Sequence, residues 1–113
     1  RALVGTAPAI GVSAHSRAEA EEGAAAGADA VVLGPVFETA SHPGADPLGL
    51  DPLRETCRRT VPVVAIGGIT PARVQAIRAC GAAGVAVLRG VWDGPGATTG
   101  ERVAAYLAAW TNG

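Results

Sequence analysis

The chain has 113 residues, 49% of them hydrophobic, with a formal net charge of -1 and a pI near 6.1. That is enough apolar matter for one domain with a core and too little length for two ordinary ones, and the charge balance supplies neither a basic field for nucleic acid nor the acidic tract of a disordered tail. All nine cationic side chains are Arg, which excludes a lysine Schiff base from this segment, and no apolar run approaches the roughly 20 residues of a membrane span.

The chain opens on Arg1-Ala2-Leu3-Val4-Gly5, the pattern of a helix tail, and holds no Met, so it reads as a piece of a longer reading frame. Ala9-Ile10-Gly11-Val12-Ser13-Ala14 forms a first strand, with Ser13, His15 and Ser16 at its carboxyl end. Ser16 is placed to cap a helix running to about Ala26, and Glu19 stands where a capping box needs its partner. Gly27 ends that helix, Val31-Val32-Leu33-Gly34 is a second strand, and residues 35–49 make a long loop of Pro, Gly and small polar residues. Loops of that length in compact domains are functional or disordered. A helix from about Leu50 to Arg59 leads to Val61-Pro62-Val63-Val64-Ala65-Ile66, an apolar, β-branched run that reads as a strand buried on both faces. Gly67 and Gly68 follow, Thr70 is positioned to cap the next helix, and Pro71 suits its first turn. That helix runs to Cys80 and is closed by Gly81. Gly84-Val85-Ala86-Val87-Leu88 is a fourth strand, followed by Arg89-Gly90, a Pro/Gly loop through Gly96, and a helix capped by Thr98 or Thr99 that ends near Trp110.

Strands alternating with helices of this length indicate right-handed βαβ units on a parallel sheet. The segment Ala26 to Gly34 also echoes Cys80 to Leu88 in register, two units apart. Repeats of this kind build (β/α)8 barrels, whose sites lie at the carboxyl ends of the strands. The expected fold is therefore α/β, half of a (β/α)8 TIM barrel, with residues 1–113 as a single unit that pairs with another half. Cys57 and Cys80 fall in predicted helices and share no metal-ligand spacing with either His, which fits a reduced, soluble, cytoplasmic protein.

Four loops gather the polar candidates: Ser13-Ala14-His15-Ser16, Thr39-Ala40-Ser41-His42, Gly67-Gly68-Ile69 and Leu88-Arg89-Gly90. Hydroxyls, bare amides beside a helix start and one arginine suit an anionic, phosphate-bearing small molecule. The glycine pair is equally explained by a tight turn that needs Gly for its backbone angles, and both readings stay open at this level. No carboxylate pair for glycosidase-like chemistry and no nucleophile elbow is present. Plainer roles stand beside the sharper ones: His15 ordering its own loop, Thr39 and Ser41 making turn hydrogen bonds, His42 solvated, Arg89 in an ion pair. Glu19, Glu21 and Glu22 read as a solvated helix face, Asp29 as a turn residue, Arg58 and Arg59 as surface or structural residues, and Trp92 and Trp110 as packing residues.

Taken together, Ile10-Gly11-Val12-Ser13-Ala14-His15-Ser16, Gly34-Pro35-Val36-Phe37 with Thr39, Ala65-Ile66-Gly67-Gly68-Ile69-Thr70 and Gly84-Val85-Ala86-Val87 resemble the thiamine phosphate synthase family and its thiazole tautomerase relative. The resemblance covers nearly the whole chain and corresponds to the carboxyl-terminal half of that barrel, strands five to eight. It implies a transferase that joins hydroxymethylpyrimidine diphosphate to thiazole phosphate and releases pyrophosphate, chiefly by positioning and electrostatics. It further implies Ser13 on the diphosphate, with Ser13 and His15 as the catalytic candidates. Thr39 and Ser41 would hold the thiazole, Gly68 would give its amide to the thiazole phosphate, and Leu88 with Arg89 would give the amides of the last phosphate loop. The family's magnesium ligands and pyrimidine pocket belong to the first half, so magnesium is expected from outside this chain, and the expected partners are small phosphorylated substrates plus either the missing amino-terminal half-barrel or a second copy.

Two positions depart from the family pattern. His42 stands where a lysine contacts the diphosphate, and Arg89 stands where a serine is common. The tautomerase relative matches at His15 but has a cysteine where this chain has Ser41, a far weaker acid. A non-catalytic phosphate-binding or assembly module is the reading from a different class.

Overall fold

The computed structural model describes residues 9–39, 44, 46–87 and 96–112. Four strands alternate with four helices among them: β1 (Gly11–Ala14), α1 (Arg17–Ala25), β2 (Ala30–Leu33), α2 (Leu50–Arg59), β3 (Val63–Ile66), α3 (Pro71–Ala79), β4 (Gly84–Ala86) and α4 (Thr99–Thr111). The strands form one parallel sheet in the order β1-β2-β3-β4, the architecture expected of consecutive βα units. The helix tail anticipated at Arg1 to Gly5 lies outside the described residues.

Local chemistry sets the boundaries. Ser16 is the N-cap of α1, its Oγ accepting the Glu19 N–H at 3.1 Å, and Thr98 caps α4 in the same way through the Glu101 N–H. Thr70 occupies the N-cap of α3 with Pro71 at the first helical position, but its hydroxyl makes no capping bond. The N–H that such a cap would take, that of Arg73, donates instead to the Thr70 carbonyl at 2.9 Å, tightening the first turn.

The register sorts the side chains by face. Val31 lies opposite Val12 and Val63, Leu33 opposite Ala14 and Ala65, and these point toward the helices. They join Ala20, Leu53, Val74, Ile77 and Tyr106 in one continuous core. The opposite face carries Ser13, Val32, Val64 and Gly84 in a single row, with Ile66 and Ala86 beyond it. Here the expectation of a strand buried on both faces is corrected: Val63 and Ala65 are buried, Val64 is half-buried, and Ile66 is 36% exposed. The described helices pack on one face of the sheet, so among the described residues no second layer covers the alternate residues of β3.

Asp29 is not the plain turn residue read from the sequence. It is 5% exposed, its Oδ2 accepts the Ile10 N–H at 2.8 Å, and its own N–H donates to the Ile10 carbonyl at 2.7 Å, so it clamps the start of β2 to the start of β1. Arg58 and Arg59 pair with Glu55, and Arg59 also reaches Glu21 at 3.9 Å, exposed contacts that contribute little. Trp110 packs against the core, where its ring lies under Arg78 and its carbonyl accepts from the Arg78 guanidinium at 2.6 Å.

A buried bond ties the last helix to the turn between β3 and α3. Tyr106 is 7% exposed and its hydroxyl donates to the Ile69 carbonyl at 2.7 Å. Tyr106→Phe removes that donor from a buried carbonyl and should cost about 1–3 kcal/mol, read as a lowered denaturation midpoint with an unchanged slope. An unaltered midpoint would mean that the bond contributes nothing to the fold.

Candidate functional site at the carboxyl ends of the strands

The β3–α3 junction is built around Gly67 and Gly68, both with positive φ, +103° and +65°. Space excludes a side chain as firmly as the dihedrals do. A Cβ on Gly67 would lie 2.6 Å from Pro35 Cα, and one on Gly68 would lie 2.4 Å from the Glu38 carbonyl oxygen and 2.8 Å from Phe37 Cβ. The glycines therefore serve a tight turn and a close approach between two loops at once.

Every carbonyl from Ile66 to Thr70 has a donor. Val36 N–H donates to Ile66 O at 2.9 Å and Phe37 N–H to Gly67 O at 3.0 Å; the Arg73 guanidinium donates to Gly68 O at 2.7 Å. Tyr106 Oη donates to Ile69 O, and the Arg73 N–H to Thr70 O. A trans peptide points its C=O and the following N–H in opposite directions, so holding the carbonyls also fixes the directions of the amides on the other side of the turn.

The long loop is anchored to this turn. Its first residues supply the Val36 and Phe37 donors, and its last residues return to its first: Leu48 N–H donates to Pro35 O at 2.8 Å and Gly49 N–H to Val36 O at 2.9 Å. The peptide between Gly34 and Pro35, where the loop leaves β2, is cis. Thr39 is half-buried on the outgoing arm of this loop.

Ser13 is exposed on β1, on the sheet face away from the helices and next to Val32. His15 stands between β1 and α1 with its side chain 72% exposed and its Nδ1 3.7 Å from a Glu19 carboxylate oxygen. The fold thus brings Thr39, Gly67 and Gly68 into adjoining loops and puts Ser13 on the same sheet two strands away. Ser41, His42, Leu88 and Arg89, together with Trp92, lie outside the described residues. Phe37, Arg73 and Tyr106 were not singled out from the sequence as site residues, although each fixes the turn or the loop against it. Arg73 carried one signal: a cation in the first turn of a helix opposes the macrodipole, so its presence there asks for another partner.

Neither cysteine belongs to this constellation. Burial, then the neighbouring Cys80, pushes the Cys57 thiol above its ordinary range, and it sits in the last turns of α2, near the amino ends of the strands. Cys80, the C-cap of α3, is buried with its Sγ 3.7 Å from the Leu50 carbonyl. Among the described residues no three His, Cys, Asp or Glu side chains gather to hold a metal ion, and no helix is long and apolar enough to cross a membrane.

The family's sequence model, described as thiamine monophosphate synthase, matches residues 1–91. The chain belongs to the thiamine monophosphate synthase family. It is 42% identical over 103 residues to the thiamine-phosphate synthase of Gloeobacter violaceus, covering 88% of this chain and 30% of that protein. It is 39% identical over 111 residues to that of Roseiflexus castenholzii, covering 96% of this chain and 49% of the relative. Thiamine phosphate pyrophosphorylase from Pyrococcus furiosus superposes with a TM-score of 0.81 at 30% identity, over 93% of this chain and 50% of that structure. The chain thus spans half or less of the length of these relatives, and its four strands alternating with four helices have an α/β, TIM-barrel-like fold.

Because the Cys57 thiol is held protonated at neutral pH, alkylation by iodoacetamide at pH 7 should proceed well below the rate of free cysteine, with no protection by phosphate. Rapid alkylation that phosphate suppresses would place a reactive thiol at the site.

Proposed function

We propose that the complete protein joins hydroxymethylpyrimidine diphosphate to thiazole phosphate with release of pyrophosphate, and that this chain contributes the carboxyl-terminal half of the barrel and the thiazole phosphate side of the site. The observation that supports this most is the Gly67-Gly68 turn, whose carbonyls are all occupied, in a chain that matches the synthase family over residues 1–91. Amides so oriented beside the start of α3 bind a phosphate by hydrogen bonds and by the helix dipole. Gly68 gives its amide to that phosphate, Thr39 and Ser41 hold the thiazole, and Leu88 with Arg89 complete the phosphate loop. Ser13 meets the diphosphate from β1, with His42 in the place of a lysine.

Magnesium, if the complete enzyme uses it, would be held by ligands in the amino-terminal half of the barrel, as the family resemblance implies; among the described residues no three His, Cys, Asp or Glu side chains gather. The sheet face bearing Val32, Val64 and Ile66 is then covered by the amino-terminal half of the barrel, as the length of the relatives favours.

A tautomerase would pair His15 with a thiol. Ser41 supplies none, the relatives named above are synthases, and half-buried Cys57 and buried Cys80 lie in and at the end of helices, away from the carboxyl ends of the strands, so the synthase reading is preferred.

Gly68→Val is a poor test, since its side chain would collide with the Glu38 carbonyl whatever the ligand. Ser13 is exposed and in no such contact. Ser13→Ala in the complete protein should leave the melting temperature unchanged and lower kcat/KM for the pyrimidine diphosphate by about tenfold to a hundredfold, the loss of one hydrogen bond to a charged group. Undiminished pyrophosphate release would remove Ser13 from the site.

A further inference from the structure

We propose that Arg73 is the positioning residue of the phosphate turn, acting through the Gly68 carbonyl and the Phe37 ring; this rests on the reading of the Gly67-Gly68 turn as an anion site. The guanidinium makes two contacts at once. It donates to Gly68 O at 2.7 Å, and its central carbon lies 4.5 Å from the centroid of Phe37, within the range of a cation–π interaction. Phe37 in turn donates its own N–H to Gly67 O, and its Cβ fills the space that a side chain on Gly68 would need. Arg73, Phe37 and the glycine pair therefore form a closed circuit joining the start of α3, the β3–α3 turn and the outgoing arm of the long loop.

The placement of the cation is informative. At the third residue of α3 an arginine loses against the helix dipole, where Asp or Glu would gain, so helix stability does not account for it. Its side chain is exposed, so core packing does not account for it either. What it does is orient one peptide. Drawing Gly68 O toward the guanidinium turns the Ile69 N–H the opposite way, and the planar fork that reaches Gly68 O also lies over the ring of Phe37. Tyr106 then fixes the next carbonyl from inside the core. The last peptides of the turn are thus set by two side chains, one buried and one exposed, and the exposed one also touches the loop that carries Thr39. Anion affinity and the position of the Thr39 loop are coupled through Arg73.

The test uses inorganic phosphate titrated by calorimetry into the complete protein, with pyrophosphate release assayed separately. Arg73→Ala should weaken phosphate binding about tenfold at both low and high salt, because an orienting hydrogen bond is lost rather than a long-range attraction. Phe37→Leu should give a smaller loss, and the double variant should be no weaker than Arg73→Ala alone within about twofold, because both act on one contact. Thermal melting of each variant reports that the fold is intact. Unchanged phosphate affinity in Arg73→Ala, a loss that disappears at high salt, or fully additive losses in the double variant would each overturn the inference. A wild-type protein that binds phosphate and is weakened by Arg73→Ala, yet releases no pyrophosphate, would keep the inference and remove the synthase reading.

Discussion

The structure depends on one backbone constraint: the turn between β3 and α3 has all five of its carbonyls, from Ile66 to Thr70, committed to donors from three parts of the fold. Buried backbone groups must find partners, and here the partners come from the long loop, from the first turn of α3 and from the last helix. The glycine pair makes this possible, because only residues without Cβ can hold positive φ while the Pro35-to-Glu38 segment passes at contact distance. Rigidity at the carboxyl end of the central strand is thus a product of three elements distant in sequence. The same bonds that finish the fold orient the amides that an anion would meet.

The second constraint is the one-sidedness of the sheet. Val31, Leu33, Val63 and Ala65 are sealed under the helices, while Val32, Val64 and Ile66 face away from them with part of their surface in water. A parallel sheet is ordinarily covered on both faces. In a (β/α)8 barrel the second face is the interior, filled by side chains of the other strands. The overlap of this chain with about half of the Roseiflexus castenholzii and Pyrococcus furiosus relatives accords with that geometry.

Much of this was legible in the sequence because it is written in local chemistry. Ser16 and Thr98 cap where hydroxyls precede helices, Pro71 opens α3, and Gly27 and Gly81 follow helices with φ of +113° and +97°. The echo between residues 26–34 and 80–88 is structural as well: Asp29 N–H donates to Ile10 O and Ala83 N–H to Val63 O, each entering its strand against the preceding one. What could not be read was tertiary. Tyr106 and Ile69 are 37 residues apart, and nothing in the motif that holds Ile69 points to Tyr106 as its partner. Asp29 looks like any turn residue until its burial is known. The exposure of Ile66 depends on a layer that the apolar pattern of β3 cannot reveal.

An anion bound at the turn with occupied carbonyls would mark the amides beside it. The most direct measurement is an amide-resolved NMR titration of the complete protein with inorganic phosphate. The largest shifts are expected on the amides of Gly67, Gly68 and Ile69, saturating together with one affinity. Shifts confined to other amides, for example those of Ser16 to Glu19 at the start of α1, with the Gly67-Gly68 turn unmoved, would contradict anion binding at this turn.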